Sequence, residues 1–231
     1  MPNITDILLY EDNHLLVVNK QSGQIVQGDK TGDEPLSEML KRFIKERDNK
    51  PGNVFMGVPH RLDRPVSGVA IFAKTGKALE RLNEMFRNSE MHKLYWAIVK
   101  KRPAENTGLL THYLLRNEKM NKSFVSLEPK PGAKEARLKY RLLTSAENYH
   151  LLEVQLFTGR HHQIRCQMAA IGCPIKGDLK YGAPRSNPDG SISLHARSVS
   201  FIHPVKKEEI TILAPVPNEP LWQYFEKMNN E

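Results

Sequence analysis

The segment His60–Asp63, which reads His-Arg-Leu-Asp, holds the residues best suited to chemistry in this chain. Its carboxylate, Asp63, lies between Arg61 and Arg64, and nearby positive charge favours the ionised form of an aspartate. An apolar run at 69–73 follows closely, so Asp63 is predicted to lie on an irregular segment beside a buried strand. Catalytic groups are commonly presented in such a position. For an isolated motif, a surface loop with a local salt bridge would be the simpler explanation.

A second basic segment, 158–165, strengthens the catalytic interpretation. It reads Thr-Gly-Arg-His-His-Gln-Ile-Arg and is predicted to begin a helix, whose unpaired backbone N–H groups favour an anion or a phosphate. Arg160 and Arg165 cannot point to the same place on one ideal helix. We therefore expect one of them to hold phosphate and the other to meet a buried carboxylate. A bidentate pair with an arginine would hold Asp63 ionised and oriented.

Zinc is the alternative for this region, because His161, His162, Cys166 and Cys173 are zinc-ligand residue types. Adjacent histidines diverge on a helix, however, and no Cys-x-x-Cys pair supports them. Hydrogen bonding by the histidines is favoured over metal binding. The cysteines would lie about two helical turns apart, beyond the usual disulfide separation, so we expect free thiols that fill core volume in a reducing compartment.

The composition is that of an ordinary globular protein, with 231 residues of which 39% are hydrophobic and 26% charged. Thirty-four Lys and Arg residues against 26 Asp and Glu give a formal charge of +8, which favours an anionic partner, with nucleic acid foremost. A basic protein without such a partner is the alternative. The chain lacks the pattern of a secretory signal and any apolar run of membrane-spanning length. We expect a cytoplasmic protein without membrane contact.

Hydrophobic periodicity predicts an α+β fold: a mixed, mainly antiparallel β-sheet core flanked by helices, in one domain over residues 1–231. The strands are expected at 7–10, 14–19, 69–73, 94–99, several places between 109 and 157, 195–201 and 209–213. The helices are expected after 33–35, from a Thr75 cap to about 87, after 159, and from about 219. On the strand at 94–99, the two-residue period places Tyr95 and Trp96 on opposite faces.

Several segments together resemble the RluA-type RNA pseudouridine synthases. The opening motif resembles the family's His-Arg-Leu-Asp signature, 93–97 resembles its Lys-x-Tyr-x-Ala strand, and 158–165 its arginine-bearing helix start. The remaining matches, in order, are 19–23 (Asn-Lys-Gln-Ser-Gly), 174–182 (from Pro-Ile-Lys-Gly-Asp to Tyr-Gly) and 194–204. The ordered set spans roughly residues 8 to 204 and is highly specific.

The resemblance implies a pseudouridine synthase fold and conversion of particular uridines in RNA to pseudouridine, without a metal, cofactor or nucleotide. Asp63 then corresponds to the catalytic carboxylate, acting as nucleophile or assisting departure of the uracil. Whether it attacks the sugar or the base, or removes a sugar proton, stays open. Tyr95 resembles the tyrosine that stacks on the uracil, although a plain core aromatic is its simpler explanation, and Arg165 resembles the basic partner of the aspartate.

Three further residues are expected to contact the substrate. Arg61 resembles the arginine that fills the gap when the target base leaves the stack, an extrusion that the buried reacting atoms require. Arg160 is expected to contact the RNA backbone, and His60 to contact substrate or only to brace the loop. The pattern is broken at Val66, Gln21 and Gln167, where the family usually has threonine, proline and histidine. These departures concern the loop details and substrate recognition more than the activity.

Family members often carry an extra N-terminal RNA-binding domain resembling that of ribosomal protein S4. Here the first catalytic-domain strand begins almost at once, so we expect a single catalytic domain. Nothing in the sequence demands more than a monomer, and a monomer is expected. A structured RNA, either a tRNA or an rRNA stem-loop, is the expected partner, and compact tRNA is preferred. Its contacts are expected on the basic residues of adjoining hairpins: Lys119, Lys122, Lys130, Lys134, Arg137 and Lys139.

Two other functions compete with an isomerase. A catalytically silent RNA-binding module would have the same basic surface, but binding alone would not need Asp63 together with Tyr95 and Arg165. A hydrolase or metal enzyme would use His161, His162 and Asp63, and the poor ligand spacing disfavours it.

Overall fold

A computed structural model describes residues 3–230, without the side chain of the last of them. The chain forms two compact units. The first contains the residues up to Met91 together with Arg197–Pro215, and the second contains His92–Ala196 together with the residues from Val216 onward. Within the described chain, no helix combines the length and the apolar character needed to cross a membrane.

The first unit contains a small set of strands with helices. Its elements are α1 (Ile4–Ile7), β1 (Leu8–Glu11), β2 (Leu15–Lys20), α2 (Leu36–Arg47), β3 (Ser67–Ala73), α3 (Gly76–Arg87), the later part of β9 (Leu194–Ile202), and β10 (Glu209–Leu213). Strands β1 to β3 and β9 are neighbours in the order β1-β2-β3-β9, and β10 pairs with β9. The pairings β1–β2, β2–β3 and β9–β10 are antiparallel.

Local sequence signals account for much of this unit. The carboxylate of Asp12 accepts the backbone N–H groups of His14 and Leu15, each at 2.8 Å, and so closes the turn between β1 and β2. The Thr75 hydroxyl accepts the Ala78 N–H at 3.2 Å and caps α3. Helix α3 turns Leu82 inward onto the apolar face of β2 and β3. The predicted hairpin and the predicted Thr75 cap are confirmed.

The second unit contains the larger set of strands. Its elements are β4 (His92–Val99), β5 (Thr107–Asn117), β6 (Lys122–Ser126), β7 (Lys134–Ser145), β8 (His150–Leu156), α4 (Gln163–Ala170), a 3-10 turn (Leu179–Tyr181), the start of β9, and α5 (Pro220–Asn230). The strands are ordered β9-β4-β8-β7-β5-β6, and the pairings from β4 to β6 along this path are all antiparallel.

Helices α4 and α5 cover opposite faces of the strands in the second unit. Trp222 and Phe225 of α5 pack with Trp96 of β4, whereas Cys166 of α4 packs with Ala136 of β7. Both faces are therefore buried where the site elements lie, and the predicted α+β class with a mainly antiparallel sheet is confirmed. Two short elements, α1 and the 3-10 turn, were not predicted, because each is too short for periodicity to reveal. The single-domain organisation stays a prediction.

A fully buried lysine closes the first unit at the end of β2. Lys20 is 0% exposed, and its ammonium donates to the backbone carbonyls of Gln21 (3.1 Å), Arg64 (3.1 Å) and Val66 (2.6 Å). Burial lowers the pKa of Lys20 to about 7, against the opposing effect of the Asp63 charge. Lys20 thus ties the end of β2 to the loop that follows Asp63.

This burial predicts a pH dependence of stability. Because the pKa of Lys20 falls from its usual 10.5 to about 7 on folding, the unfolded chain binds more protons than the native chain between these values. The free energy of unfolding should therefore rise as the pH rises across this window. It should fall again as the pH is lowered towards 7. Lys20→Met should flatten this rise in the free energy of unfolding, measured by urea titration between about pH 6.5 and 10.

The exposed Lys100 offers a matched control, and Lys100→Met should keep the wild-type slope. Parallel pH profiles for wild type and Lys20→Met would show that Lys20 does not titrate in this range.

Candidate active site

Backbone hydrogen bonds hold the loop that carries Asp63, both within the loop and to the segment that follows β2. Asp63 is half-buried in irregular structure, and its carbonyl accepts the Val66 N–H at 3.0 Å to form a tight turn. The Arg64 carbonyl accepts the Gly23 N–H at 2.9 Å in addition to its bond from Lys20. After the turn, Gly68, the second residue of β3, adopts φ +112°, a backbone conformation that favours glycine. The carboxylate is therefore presented from a rigid loop rather than a mobile one.

His60 braces the start of this loop. Its Nε2 accepts the Ile71 N–H from β3 at 2.9 Å, which requires that this nitrogen carry no proton. Its ring stacks on Phe86 of α3, with centroids 4.7 Å apart and planes 23° apart. Of the two roles considered for His60, the structure provides the bracing one directly.

The two arginines flanking Asp63 have different surroundings. Arg64 donates to the Asp33 carboxylate at 2.6 Å and to the Thr31 hydroxyl at 2.7 Å. Arg61 is exposed, and none of the hydrogen bonds or ion pairs described for residues 3–230 involves its side chain. Arg64 is thus committed to the protein, whereas Arg61 is directed at solvent.

Tyr95 lies half-buried on β4, on the sheet face that α4 covers. It pairs with Val154 of β8, which in turn pairs with Tyr140 of β7, and directly paired residues share a face. Tyr140 lies an even number of positions from Ala136, which packs against Cys166 of α4. Trp96 occupies the other face under α5, as predicted. Tyr95 and the helix bearing Arg165 therefore share one side of the second unit.

The helix start differs from the prediction. Helix α4 begins at Gln163, and His162 precedes it in the left-handed conformation (φ 54°, ψ 26°). The side-chain oxygen of Gln163 accepts the Thr158 hydroxyl at 2.8 Å and the Arg160 N–H at 3.0 Å. The chain from 158 to 162 is consequently a structured loop rather than the first turn of the helix. Gln163 supplied no periodic signal that would have marked this boundary.

The two histidines face the same way instead of diverging. The rings of His161 and His162 stack, with centroids 3.7 Å apart and planes 22° apart, because the left-handed His162 reverses the chain direction. His161 bonds Ser123 through Nδ1 at 2.9 Å, and His162 bonds the Tyr181 hydroxyl through Nδ1 at 2.9 Å. The expected hydrogen-bonding role is confirmed. Between residues 3 and 230, no group of three or more His, Cys, Asp or Glu side chains is arranged to hold a metal.

Arg160 and Arg165 point in different directions, as predicted. Arg160 is exposed, and its Nε donates to the Glu135 carbonyl of β7 at 2.9 Å. Arg165 is buried and forms two bonds with the Asp178 carboxylate: Nε to Oδ2 at 2.6 Å and Nη2 to Oδ1 at 2.9 Å. Asp178 was not identified as a functional residue from the sequence. Its only signal was the Gly-Asp pair inside the segment resembling the family.

The predicted pairing of Asp63 with Arg165 joins residues of different units and stays a prediction. The first unit holds a half-buried carboxylate on a braced loop, beside a solvent-directed arginine. The second unit holds an aromatic ring and an oriented guanidinium on one face of a sheet. These are the group types needed to stack on a base and to stabilise a nearby anion.

The remaining predicted residues are consistent with their expected environments. Cys166 and Cys173 are free and buried, as predicted, and burial raises the pKa of the Cys166 thiol to about 11. Such a thiol is inert at neutral pH. The six basic candidates for RNA contact lie on or between strands β5 to β7, and all are exposed except the half-buried Lys122.

Comparison with known proteins identifies the family. The family model for RNA pseudouridylate synthase matches residues 14–170, a stretch that runs through both units. An uncharacterized RNA pseudouridine synthase from Synechocystis sp. is 35% identical over 230 residues, covering 98% of this chain and 68% of that protein. The ribosomal large subunit pseudouridine synthase C of Vibrio cholerae is 32% identical, covering 90% of this chain and 65% of that protein. The chain thus spans about two thirds of the length of these relatives.

A solved structure agrees on the fold. Human RNA Pseudouridylate Synthase Domain Containing 4 superposes with a TM-score of 0.81 at 24% identity, covering 98% of this chain and 94% of that chain. At this identity the likeness speaks for the fold alone, and it matches the mainly antiparallel architecture described above. The RluA-type resemblance of the sequence is confirmed by the curated relatives. The chain belongs to the RNA pseudouridylate synthase family and is an isomerase that converts uridine in RNA to pseudouridine.

Proposed function

We propose that this enzyme modifies uridines in structured ribosomal RNA, with Asp63 as the nucleophile and with extrusion of the target base from its stack. The observation that carries the proposal is the rigid presentation of Asp63 within a motif loop that matches the family's signature. The reaction breaks the N1–C1′ bond, turns the uracil, joins C5 to C1′, and moves one proton from C5 to N1. The product is an isomer of the substrate, so no oxidant and no transferred group is required.

Each remaining residue has a distinct task in this proposal. Tyr95 stacks on the uracil, and its hydroxyl assists proton movement at C5. Arg165 acts as the basic partner that orients the Asp63 carboxylate. Arg61 enters the gap left by the extruded base, which fits its exposed position and the absence of a described partner in residues 3–230.

Substrate contact is assigned to basic groups of both units. Arg160 contacts the phosphate backbone from the loop before α4. The exposed cations of β5 to β7 supply further phosphate contacts, and His60 contributes by holding the motif loop. The formal charge of +8 suits an RNA partner.

Ribosomal RNA is preferred over tRNA as the substrate. The weak preference for tRNA drawn from the sequence gives way here, because several curated relatives at about 32% identity are named as ribosomal large subunit enzymes. A tRNA stem-loop stays the alternative substrate.

We further propose that residues 1–231 act as one catalytic domain and as a monomer in the cytoplasm, without a metal or nucleotide cofactor.

The substrate proposal is tested by incubating the protein with unmodified large-subunit rRNA and tRNA transcripts, followed by chemical mapping of pseudouridine. Modification of rRNA at defined positions, without added metal or nucleotide, is the expected result. Modification of tRNA alone would reverse the substrate preference. Loss of activity with a chelator and its recovery with zinc would revive a metal enzyme, and binding without product on every RNA would favour a silent binding module.

Asp63→Asn should lower the single-turnover rate by more than about 10⁴-fold, because removal of a nucleophile abolishes the covalent route. RNA affinity, measured by filter binding, should change little, since the amide keeps the shape of the side chain. Asp29→Asn, an exposed aspartate of the same unit, serves as the control and should retain wild-type activity. Product formation by Asp63→Asn at a rate near wild type would refute the nucleophile assignment.

Arg61→Ala should reduce the single-turnover rate about 10- to 100-fold, because unstacking a base costs a few kcal/mol that Arg61 no longer offsets. The defect should shrink on an RNA whose target uridine is already unstacked. Arg87→Ala removes an exposed arginine from α3 and controls for the loss of one positive charge. Equal defects in the two variants would reduce the role of Arg61 to general electrostatics.

A further inference from the structure

The turn that follows α4 holds Asp178 in a defined place. Asp178 precedes the 3-10 turn, and its carbonyl accepts the N–H groups of Tyr181 (3.1 Å) and Ala183 (3.0 Å). The preceding Gly177 has φ +88°, and a Cβ there would approach the Ser191 carbonyl oxygen to 2.8 Å. The backbone around Asp178 is therefore constrained both by its own turn and by the chain packed against it.

Asp178 holds the Arg165 guanidinium by two bonds. The pair is buried, with side chains 6% and 1% exposed, and its bonds measure 2.6 and 2.9 Å. Two parallel bonds fix the plane of the guanidinium as well as its position. They use two of its five N–H donors, so the directions of the other three are set by Asp178.

Tyr181 restricts the same guanidinium from a second side. The Arg165 Cζ lies 5.2 Å from the centroid of the Tyr181 ring, within range of a cation–π contact. The Tyr181 hydroxyl accepts the Ser123 N–H at 2.8 Å and lies 2.9 Å from the His162 Nδ1. The ring is thus anchored at its far end and does not rotate with the arginine.

A buried ion pair contributes little net stability, because desolvation of both charges offsets their attraction. An apolar pair of similar volume would fill this space equally well. What the arrangement supplies is a single direction for a charged group on the face that also carries Tyr95.

We infer that Asp178 and Tyr181 form a clamp that holds the Arg165 guanidinium in the orientation its catalytic role requires. Asp178 and Tyr181 are positioning residues, since they act through Arg165 and not on the RNA. The inference rests on the role proposed above for Arg165, and it adds the residues that make the arginine effective.

A double-mutant cycle tests the clamp. Single-turnover rates are measured for Asp178→Asn, Arg165→Met and the double variant, each under conditions where circular dichroism shows the protein folded. Asp178→Asn should lower the rate by about 10- to 100-fold, because a small misplacement of a catalytic group has effects of this size. In the Arg165→Met background, Asp178→Asn should change the rate by less than about twofold, since a clamp without its arginine has no further effect.

The separation of the maximal rate from RNA binding provides a readout that a purely structural role would not move. A misoriented Arg165 weakens the catalytic step and not the contacts that hold the RNA. The maximal single-turnover rate should therefore fall in Asp178→Asn, while RNA affinity, measured by filter binding, stays within about threefold of wild type. Asp189→Asn, at an exposed turn of the same unit, should leave both the rate and the affinity unchanged.

Asp178→Glu covers the case in which Asp178→Asn does not fold. It keeps the charge but displaces the carboxylate by one methylene, and it should lower the rate at least about threefold. Wild-type rates in the folded Asp178 variants would overturn the clamp if Arg165→Met is impaired. Additive losses in the double variant would overturn it as well. If Arg165→Met itself has the wild-type rate, the proposed role of Arg165 is wrong and so is the clamp. Activity of Asp63→Asn is a different outcome, which would refute the assignment of Asp63 as the nucleophile.

Discussion

The buried ammonium of Lys20 is the interaction on which the reactive loop depends. Three carbonyl oxygens converge on it, and two of them belong to Arg64 and Val66, directly after Asp63. Carbonyls in an apolar interior need donors, and a single ammonium supplies three. The loop therefore cannot move away from β2 without leaving buried polar groups unpaired. The position of Asp63 follows from this backbone constraint together with the His60 brace on β3.

Each of the two units buries a cation that serves the candidate site. The first unit satisfies Lys20 with neutral carbonyl oxygens, and burial lowers its pKa to about 7. The second unit satisfies Arg165 with a full carboxylate and an aromatic ring. The difference suits the two groups, because a guanidinium stays charged when buried and has the planar geometry for a bidentate partner. In the first unit the bonds to the buried cation hold the loop, and in the second they orient the charge.

The sequence predicted the features that arise from neighbouring residues. The Asp12 turn and the Thr75 cap were identified because each side chain bonds a backbone group within three residues. The start of α4 was missed because it depends on the left-handed His162 and on the reach of Gln163 back to Thr158. The stacking of the two histidines follows from the same reversal. Propensity and periodicity do not contain such information.

By itself, the sequence determined the reactive residue types, the family and the order of the strands along the chain. It supplied Asp63 in its motif, Tyr95 on a strand and Arg165 on a helix, since each of these depends on local pattern. The tertiary structure alone decided their partners. Lys20 bonds carbonyls more than forty residues away, and Arg165 meets Asp178 across a turn that no periodicity marks. Such contacts depend on which elements pack together, because burial makes an unpaired polar group costly wherever its partner lies in the sequence.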